Sequence, residues 1–200
     1  MLKKSITAGG SISIGAFAYM IVLQKTGLSS LASCVFFVGL LLVFLTGSKL
    51  FTGCVLTMRN NKHYWYDLTK VWFGNLVGSV VITLLLYIIF PDLNFKAILD
   101  TKLDKSFLEL IISGFFCNIF VCGAVYYFIY FSNKEKFGIS WFLITIFVAM
   151  GLEHSIANQT YMTLAMIKGY SFMLIIVNLI CTTFGNLLGG LVFCECVKEI

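Results

Sequence analysis

The chain has 200 residues, of which 60% are hydrophobic and only 12% charged, with a formal net charge of +5. A soluble globule carries about 25% charged residues, so this chain cannot clothe a water-facing surface and reads as an integral membrane protein, with the lipid bilayer as its solvent. A crossing plus a short loop takes about 30 residues, which leaves room for roughly six crossings and no separate soluble domain.

The first apolar run covers about residues 5–24 and closes at Gln24-Lys25-Thr26. Lys3 and Lys4 precede it, but no small-residue cleavage site leads to a polar start, so it reads as a span and not a removed signal peptide. The second stretch, about 29–58, is too long for one simple crossing and is interrupted at Gly47-Ser48-Lys49. After Arg59-Asn60-Asn61-Lys62-His63, an amphipathic lead-in with Asp67 and Lys70 opens a third span, about 71–90, which stops before Pro91. Residues 91–105 read as a polar connector. The fourth span is about 107–131, with a loop from Ser132 to Gly138. The fifth stretch, about 139–167, is broken at Gly151-Leu152-Glu153-His154, and Lys168-Gly169 turn into a sixth span at about 171–194.

The two halves of the chain echo each other. Phe73-Gly74-Asn75-Leu76-Val77-Gly78 in the third span recurs as Phe184-Gly185-Asn186-Leu187-Leu188-Gly189 in the sixth, and Gly47 and Gly151 sit at matching depths. Three spans per half is an odd number, so the halves must insert in opposite directions. The expected fold is an all-α membrane protein of six transmembrane spans. It forms one channel domain over 1–200, with two inverted three-span repeats at about 1–90 and 106–200 and broken second and fifth helices. With the amino terminus inside, the inner segments hold eight Lys and Arg residues (Lys3, Lys4, Arg59, Lys62, Lys70, Lys134, Lys136 and Lys198) against five outside, leaving out Lys49. That bias favours both termini on the cytoplasmic face of a cell membrane.

The seven cysteines lie mostly in apolar runs and read as small buried hydrophobes. Cys194 and Cys196 form the only close pair, and C-x-C is neither a metal nor a redox spacing. No metal site and no cofactor are expected. No basic run is dense enough for nucleic acid.

Ionisable residues at membrane depth are expensive and mark functional positions. Lys49, Glu153 and His154 all fall at the two breaks, where irregular backbone must line a cavity or pack in protein. Each break creates a half-helix amino end whose N–H groups and dipole favour an anion, with Thr52 and Ser155 supplying hydroxyls. His154 is the only histidine within a span, and its ordinary pKa suits proton exchange at cellular pH. Glu153 is either functional or a structural partner that caps a half-helix end. Asn75 and Asn186 can stitch helices together, and Gly78 and Gly189 can allow close helix packing.

Several of these motifs, in order, resemble the formate/nitrite transporter family. Leu50-Phe51-Thr52-Gly53 after a broken second span is similar to that family's L-F-T-[SG] loop. Glu153-His154-Ser155-Ile156-Ala157-Asn158 matches its E-H-S-[IV]-A-N element. Trp72 to Gly78 and Gly185 to Gly190 resemble its third and sixth spans. The resemblance implies an aquaporin-like fold, a homopentamer with one pore per protomer, and passage of formate, nitrite, hydrosulfide, acetate or lactate as anion or conjugate acid. It maps the central histidine to His154 and the loop threonine to Thr52. Apolar constriction residues map to Leu40, Leu50, Phe51 and Phe147, and the vestibule lysine to Lys102, with Lys105 competing. Asn186 corresponds to the sixth-span asparagine, and Asn158 closes the fifth-span element. The family's usual amino-terminal amphipathic helix has no counterpart before the first span, and Lys49 stands where an acid is usual. That lysine either raises the positive potential or pairs with Glu153 or a neighbouring subunit.

The combined reading is a pentameric channel for a small monovalent anion, formate first, with nitrite or hydrosulfide next. Lys102, Lys49 and the half-helix ends draw the anion in, and His154 donates a proton or polarises it. Competing readings are a neutral-solute pore, a membrane redox enzyme and a non-transporting assembly partner. The first lacks Asn-Pro-Ala pairs, since Pro91 is the only proline, and the second lacks C-x-x-C or a histidine pair. Enzymatic activity is not expected.

Overall fold

The computed structural model describes residues 1–131 and 134–197. Among the described residues the helices are α1 (Leu2–Thr26), α2 (Ser29–Thr46), α3 (Phe51–Thr57), α4 (Tyr64–Ile89), α5 (Lys96–Leu103), α6 (Phe107–Tyr130), α7 (Lys136–Ala149), α8 (Ser155–Ile167) and α9 (Phe172–Cys196). Five of them, α1, α2, α4, α6 and α9, are long and apolar enough to cross a membrane, and α7 is a shorter apolar helix. Ser132 of the expected loop and Lys198 of the charge count lie outside the described residues.

Local chemistry accounts for most of the helix ends. Backbone in hydrocarbon must satisfy its own hydrogen bonds, so apolar runs become helices. The lead-in before the third span is continuous with it, because Tyr64, Leu68 and Val71 bury one face at helical spacing while Asp67 and Lys70 point away. That helix ends at Phe90, where Pro91 disfavours helical geometry in the residue before it. Ser106 and Glu109 form a reciprocal capping box that starts α6.

Two expectations need correction. The connector at 91–105 is not all loop. It contains α5, which buries Leu99 and Leu103 at i,i+4 spacing and links Lys96 to Asp100 on its outer side. The expected loop at 132–138 is shorter than read, since Lys136 already opens α7.

The long helices pack as two matching sets. Helix α1 lies against α4 and α2, and α6 lies against α9 and α7. Helix α8 is seated on α4, and α3 on α9. Small residues make the closest crossings possible. A Cβ on Gly78 would stand 1.9 Å from the carbonyl oxygen of Ile6, and one on Gly189 would stand 2.0 Å from that of Phe115. Both glycines therefore let two backbones touch, one in each set.

Both breaks are made the same way. Gly47 ends α2 in the left-handed region at φ 57°, and Gly151 follows α7 at φ 67°. Gly47 N–H donates to Phe44 O and Ser48 N–H to Val43 O. Gly151 N–H donates to Val148 O and Leu152 N–H to Phe147 O. These are paired 5→2 and 6→1 bonds of the Schellman type, which stop a helix and turn the chain at once. The residues after each turn, Leu50 and Glu153-His154, are extended and lead into α3 and α8.

Candidate functional site

A buried asparagine locks each break. Asn75 Oδ1 accepts the N–H of Phe51, the first residue of α3, at 2.8 Å. Its amide donates to Lys49 O at 2.9 Å and to Ser5 O at 2.7 Å. Asn186 repeats the pattern on α8. It accepts the N–H of Ser155 at 2.7 Å and donates to Glu153 O at 2.9 Å and Gly114 O at 2.8 Å. Each side chain satisfies an orphan amide of a half-helix and a loose carbonyl of the break, groups that would otherwise be costly at this depth. Each asparagine also bonds a neighbouring helix, Asn75 at Ser5 of α1 and Asn186 at Gly114 of α6.

The tips of α3 and α8 meet. Thr52 Oγ1 lies 3.0 Å from His154 Nε2, with Thr52 fully buried and His154 3% exposed. His154 Nδ1 accepts the N–H of Ala157 at 3.0 Å and so caps α8. That bond decides the tautomer. With Nδ1 accepting, a neutral ring carries its hydrogen on Nε2 and donates it to Thr52 Oγ1. The threonine hydroxyl then keeps its own hydrogen for another acceptor. Glu153 is therefore not the cap of this half-helix, because the ring of His154 takes that place.

Glu153 is fully buried and holds two cations. Its Oε2 receives Lys102 Nζ at 2.8 Å and its Oε1 receives Lys105 Nζ at 2.5 Å. Lys102 also donates to Asn158 Oδ1 at 3.2 Å, and Asn158 returns its amide to Glu153 Oε2 at 2.7 Å. The two lysines that competed for one role thus converge on one carboxylate. Among the described residues Glu153 pairs with Lys102 and Lys105 and not with Lys49, which belongs to the other break.

One cavity lies at each break. One, of about 330 Å³, is lined by Lys102, Lys105, Glu153 and His154 together with Phe36 and Phe147. Phe147 lies nearly parallel to the His154 ring at 5.9 Å and meets Phe36 edge-on at 6.0 Å. The other, of about 310 Å³, is lined by Lys4, Lys49, Leu40 and Leu50. The Thr52–His154 contact joins a residue lining the first cavity to the half-helix that gives Gly53, Cys54 and Thr57 to the wall of the second. Leu40 and Leu50 face one cavity and Phe147 the other. Phe51 lines neither and contributes its amide to Asn75.

The first cavity offers an anion cations at Lys102 and Lys105 and apolar walls at Phe36 and Phe147, with the His154 ring beside them. Within the described residues no group of three His, Cys, Asp or Glu residues could hold a metal. Among the described residues no cysteine forms a disulfide, and four of them are buried.

The sequence profile of the formate/nitrite transporter family matches residues 1–199. The chain belongs to that family. The nitrite transporter NirC of Escherichia coli (strain K12) is 31% identical over 176 residues, which cover 79% of this chain and 66% of that protein. The formate channel FocA of the same organism is 29% identical over 231 residues, covering 93% of this chain and 80% of that one. A solved structure of a pentameric formate channel with formate bound superposes with a TM-score of 0.85 at 29% identity, covering 98% of this chain and 93% of that chain. The protein is thus an all-helical membrane protein with the fold of the family's channels, and these relatives carry the names of transporters and channels, not of enzymes.

Several residues of the site went unread in the sequence. Asn178 receives the Asn158 amide at 2.7 Å and donates to Lys102 O at 2.9 Å, which ties α5 to α9. Tyr161 sits under Lys102, with Nζ 4.8 Å from its ring centre. Ser113 Oγ accepts the Glu153 N–H at 3.0 Å. Asn178 carried a usable signal, an amide inside an apolar span. Phe36 carried none, being one of 20 phenylalanines.

Proposed function

We propose that this chain is one protomer of a homopentameric channel for small monovalent anions or their conjugate weak acids, formate first and nitrite or hydrosulfide next, with a pore in each protomer. The observation that carries this reading is the buried Thr52–His154 hydrogen bond at the meeting of two half-helices, with a lysine-lined cavity at each break. The similarity to a pentameric formate channel, to FocA and to NirC supports the substrate class and the assembly.

In this reading the chain is a single channel unit with six crossings, α2 with α3 and α7 with α8 each counting as one. The matched packing of α1, α4 and α2 with α6, α9 and α7 supports inverted repeats at about 1–90 and 106–200. So do the twin asparagine locks. The lysine and arginine bias supports an orientation with both termini on the cytoplasmic side of the cell membrane. Lys102 and Lys105 then stand at the outer mouth, and Lys4 and Lys49 at the inner one.

Lys102 and Lys105 share the single charge of Glu153, so the outer cluster keeps a net positive charge that draws an anion in. Beyond it the anion loses water against Phe36 and Phe147, and past the tips against Leu40 and Leu50. An idealised transfer of a carboxylate-sized ion into such surroundings costs about 20 kcal/mol. Thr52 offsets part of that cost by turning its O–H to the anion where water is gone, its oxygen held by the His154 N–H. The cap on α8 bears on what His154 does. A proton added at Nδ1 would confront the Ala157 N–H, and a proton lost from Nε2 would leave an imidazolate. The geometry therefore favours a neutral ring that donates a hydrogen bond, with no proton leaving it.

Uptake of formate and nitrite into proteoliposomes tests both the channel and the donor. Replacing His154 with Phe removes donor and cap, and uptake is expected to fall at least tenfold, the effect of losing about 1.4 kcal/mol. His154→Asn keeps a cap acceptor and an N–H donor, and is expected to retain uptake and its dependence on pH. An Asn variant that stays folded but loses the pH dependence means that His154 relays a proton. A wild-type protein that passes none of these anions sinks the channel itself.

A further inference from the structure

The cavity on the Lys49 side differs in charge from the one on the Lys102 side. Lys102 and Lys105 are balanced in part by Glu153, whereas none of the residues lining the Lys49 cavity is acidic. Lys4 and Lys49 both line it, and their backbones are bonded, with Lys49 N–H donating to Lys4 O at 3.1 Å. The Lys4 ammonium lies over the turn, 3.7 Å from where a Cβ on Gly47 would stand. Among the described residues neither lysine forms an ion pair. Ser48 and Thr57 add hydroxyls to the same wall.

We infer that this cavity binds a small, free divalent oxoanion, of the sulfate or phosphate class, which seats between Lys4 and Lys49 and occupies the mouth of the pore without passing through it. A monovalent ion leaves one of the two ammonium groups uncompensated, while a divalent one answers both. The way onward is closed to it by the same physics that lets a monovalent ion through. Leu40 and Leu50 form the apolar part of the wall, and the Born cost of leaving water grows with the square of the charge, roughly fourfold for a divalent ion. Such an ion therefore binds where the lysines are and competes with the transported anion from that side. The competition rests on the channel reading above, whereas the binding does not.

The experiment uses the purified full chain in detergent, titrated with sulfate by calorimetry at low ionic strength, with nitrate as the monovalent comparator. Sulfate is expected to bind more tightly than nitrate. Lys4→Gln and Lys49→Gln are each expected to weaken sulfate binding by about tenfold or more, the scale of one lost charged hydrogen bond. Lys49→Arg is expected to restore it. Lys25→Gln removes a positive charge at the far end of α1 and is expected to leave binding unchanged. Sulfate affinity that stays at the parent's value in both lysine variants, or that falls equally in Lys25→Gln, overturns the site. In proteoliposomes, sulfate on the Lys49 side is expected to slow formate flux, with the block relieved in Lys49→Gln. Lysine-dependent binding with undiminished formate flux overturns the occlusion. Lysine-dependent binding in a protein that carries no formate leaves the site standing and removes the channel reading.

Discussion

At the first break Gly47 turns the chain, Asn75 takes the Phe51 amide, and Lys49 carries its charge into a cavity with no acid beside it. At the second, Gly151 turns the chain and Asn186 takes the Ser155 amide. There Glu153 is clamped by Lys102, Lys105 and Asn158. The backbone problem is the same at both places and has the same solution, because a broken helix in hydrocarbon always leaves amides and carbonyls to satisfy. The charge is what differs. One break spends its carboxylate holding a strap, α5, against the bundle, and the other leaves its cation facing open space.

The grip on the two half-helices differs as well. Helix α3 has 7 residues, and its Thr52 and Val55 carbonyls accept from the thiols of Cys122 and Cys194 at 3.6 and 3.7 Å, with help from Tyr64 and Asn118. Helix α8 has 13 residues, and Thr160 on it meets Ser13 at 2.7 Å. Thiols are weaker donors than hydroxyls, so on α3 the thiol bonds supplement those made by Tyr64 and Asn75.

The sharpest way to break the contrast is through the charges. Glu153→Gln leaves two largely buried lysines without their carboxylate and is expected to cost about 3–5 kcal/mol, the range for breaking a buried pair. Lys49→Gln is expected to stay within about 0.5 kcal/mol of the parent. Thermal unfolding in detergent measures both, and equal losses would mean that both charges are structural. The asparagine locks sharpen the likeness. Asn75→Ala and Asn186→Ala each strand one amide and one carbonyl of a break and are expected to cost about 1–3 kcal/mol apiece. A loss confined to one variant would show that the two breaks are not equivalent.

The smallest effect concerns the strap. The Asp100 carboxylate on α5 is held below its ordinary range by Lys96 and then by the Tyr170 hydroxyl, which donates to it at 2.6 Å. A lowered value in the folded state means that the carboxylate's contribution is present above the ordinary carboxylate range, about pH 4, and is lost as pH falls through the folded value. Asp100→Asn is therefore expected to lower the melting temperature slightly at neutral pH and to match the parent in strong acid. A difference that persists in acid would assign the effect to packing.

Much of the site was legible from residues alone. The two breaks stood out because glycine and charge interrupt apolar runs that are too long for one crossing. Asn75 and Asn186 stood out because the same six-residue pattern surrounds each. Glu153 was harder. Its adjacency to His154 suggested a share in capping, yet the extended backbone after Gly151 aims its carboxylate at Lys102 and Lys105, about fifty positions away in the chain. Helix α5 was missed because charge dominates its composition and only Leu99 and Leu103 mark its buried side.

By itself the sequence determined that the chain lives in a membrane, where its long apolar helices lie and where two of the apolar stretches break. These follow from hydropathy and from glycine and proline chemistry, which act over a few residues. Only the tertiary structure decided that Thr52 meets His154, that Nδ1 of that ring is taken by Ala157, and that Glu153 answers two lysines while Lys49 answers none of the described acids. Such pairings depend on angles between distant helices, set by close crossings like those at Gly78 and Gly189. No local pattern of residue types encodes the direction in which a buried side chain finds its partner.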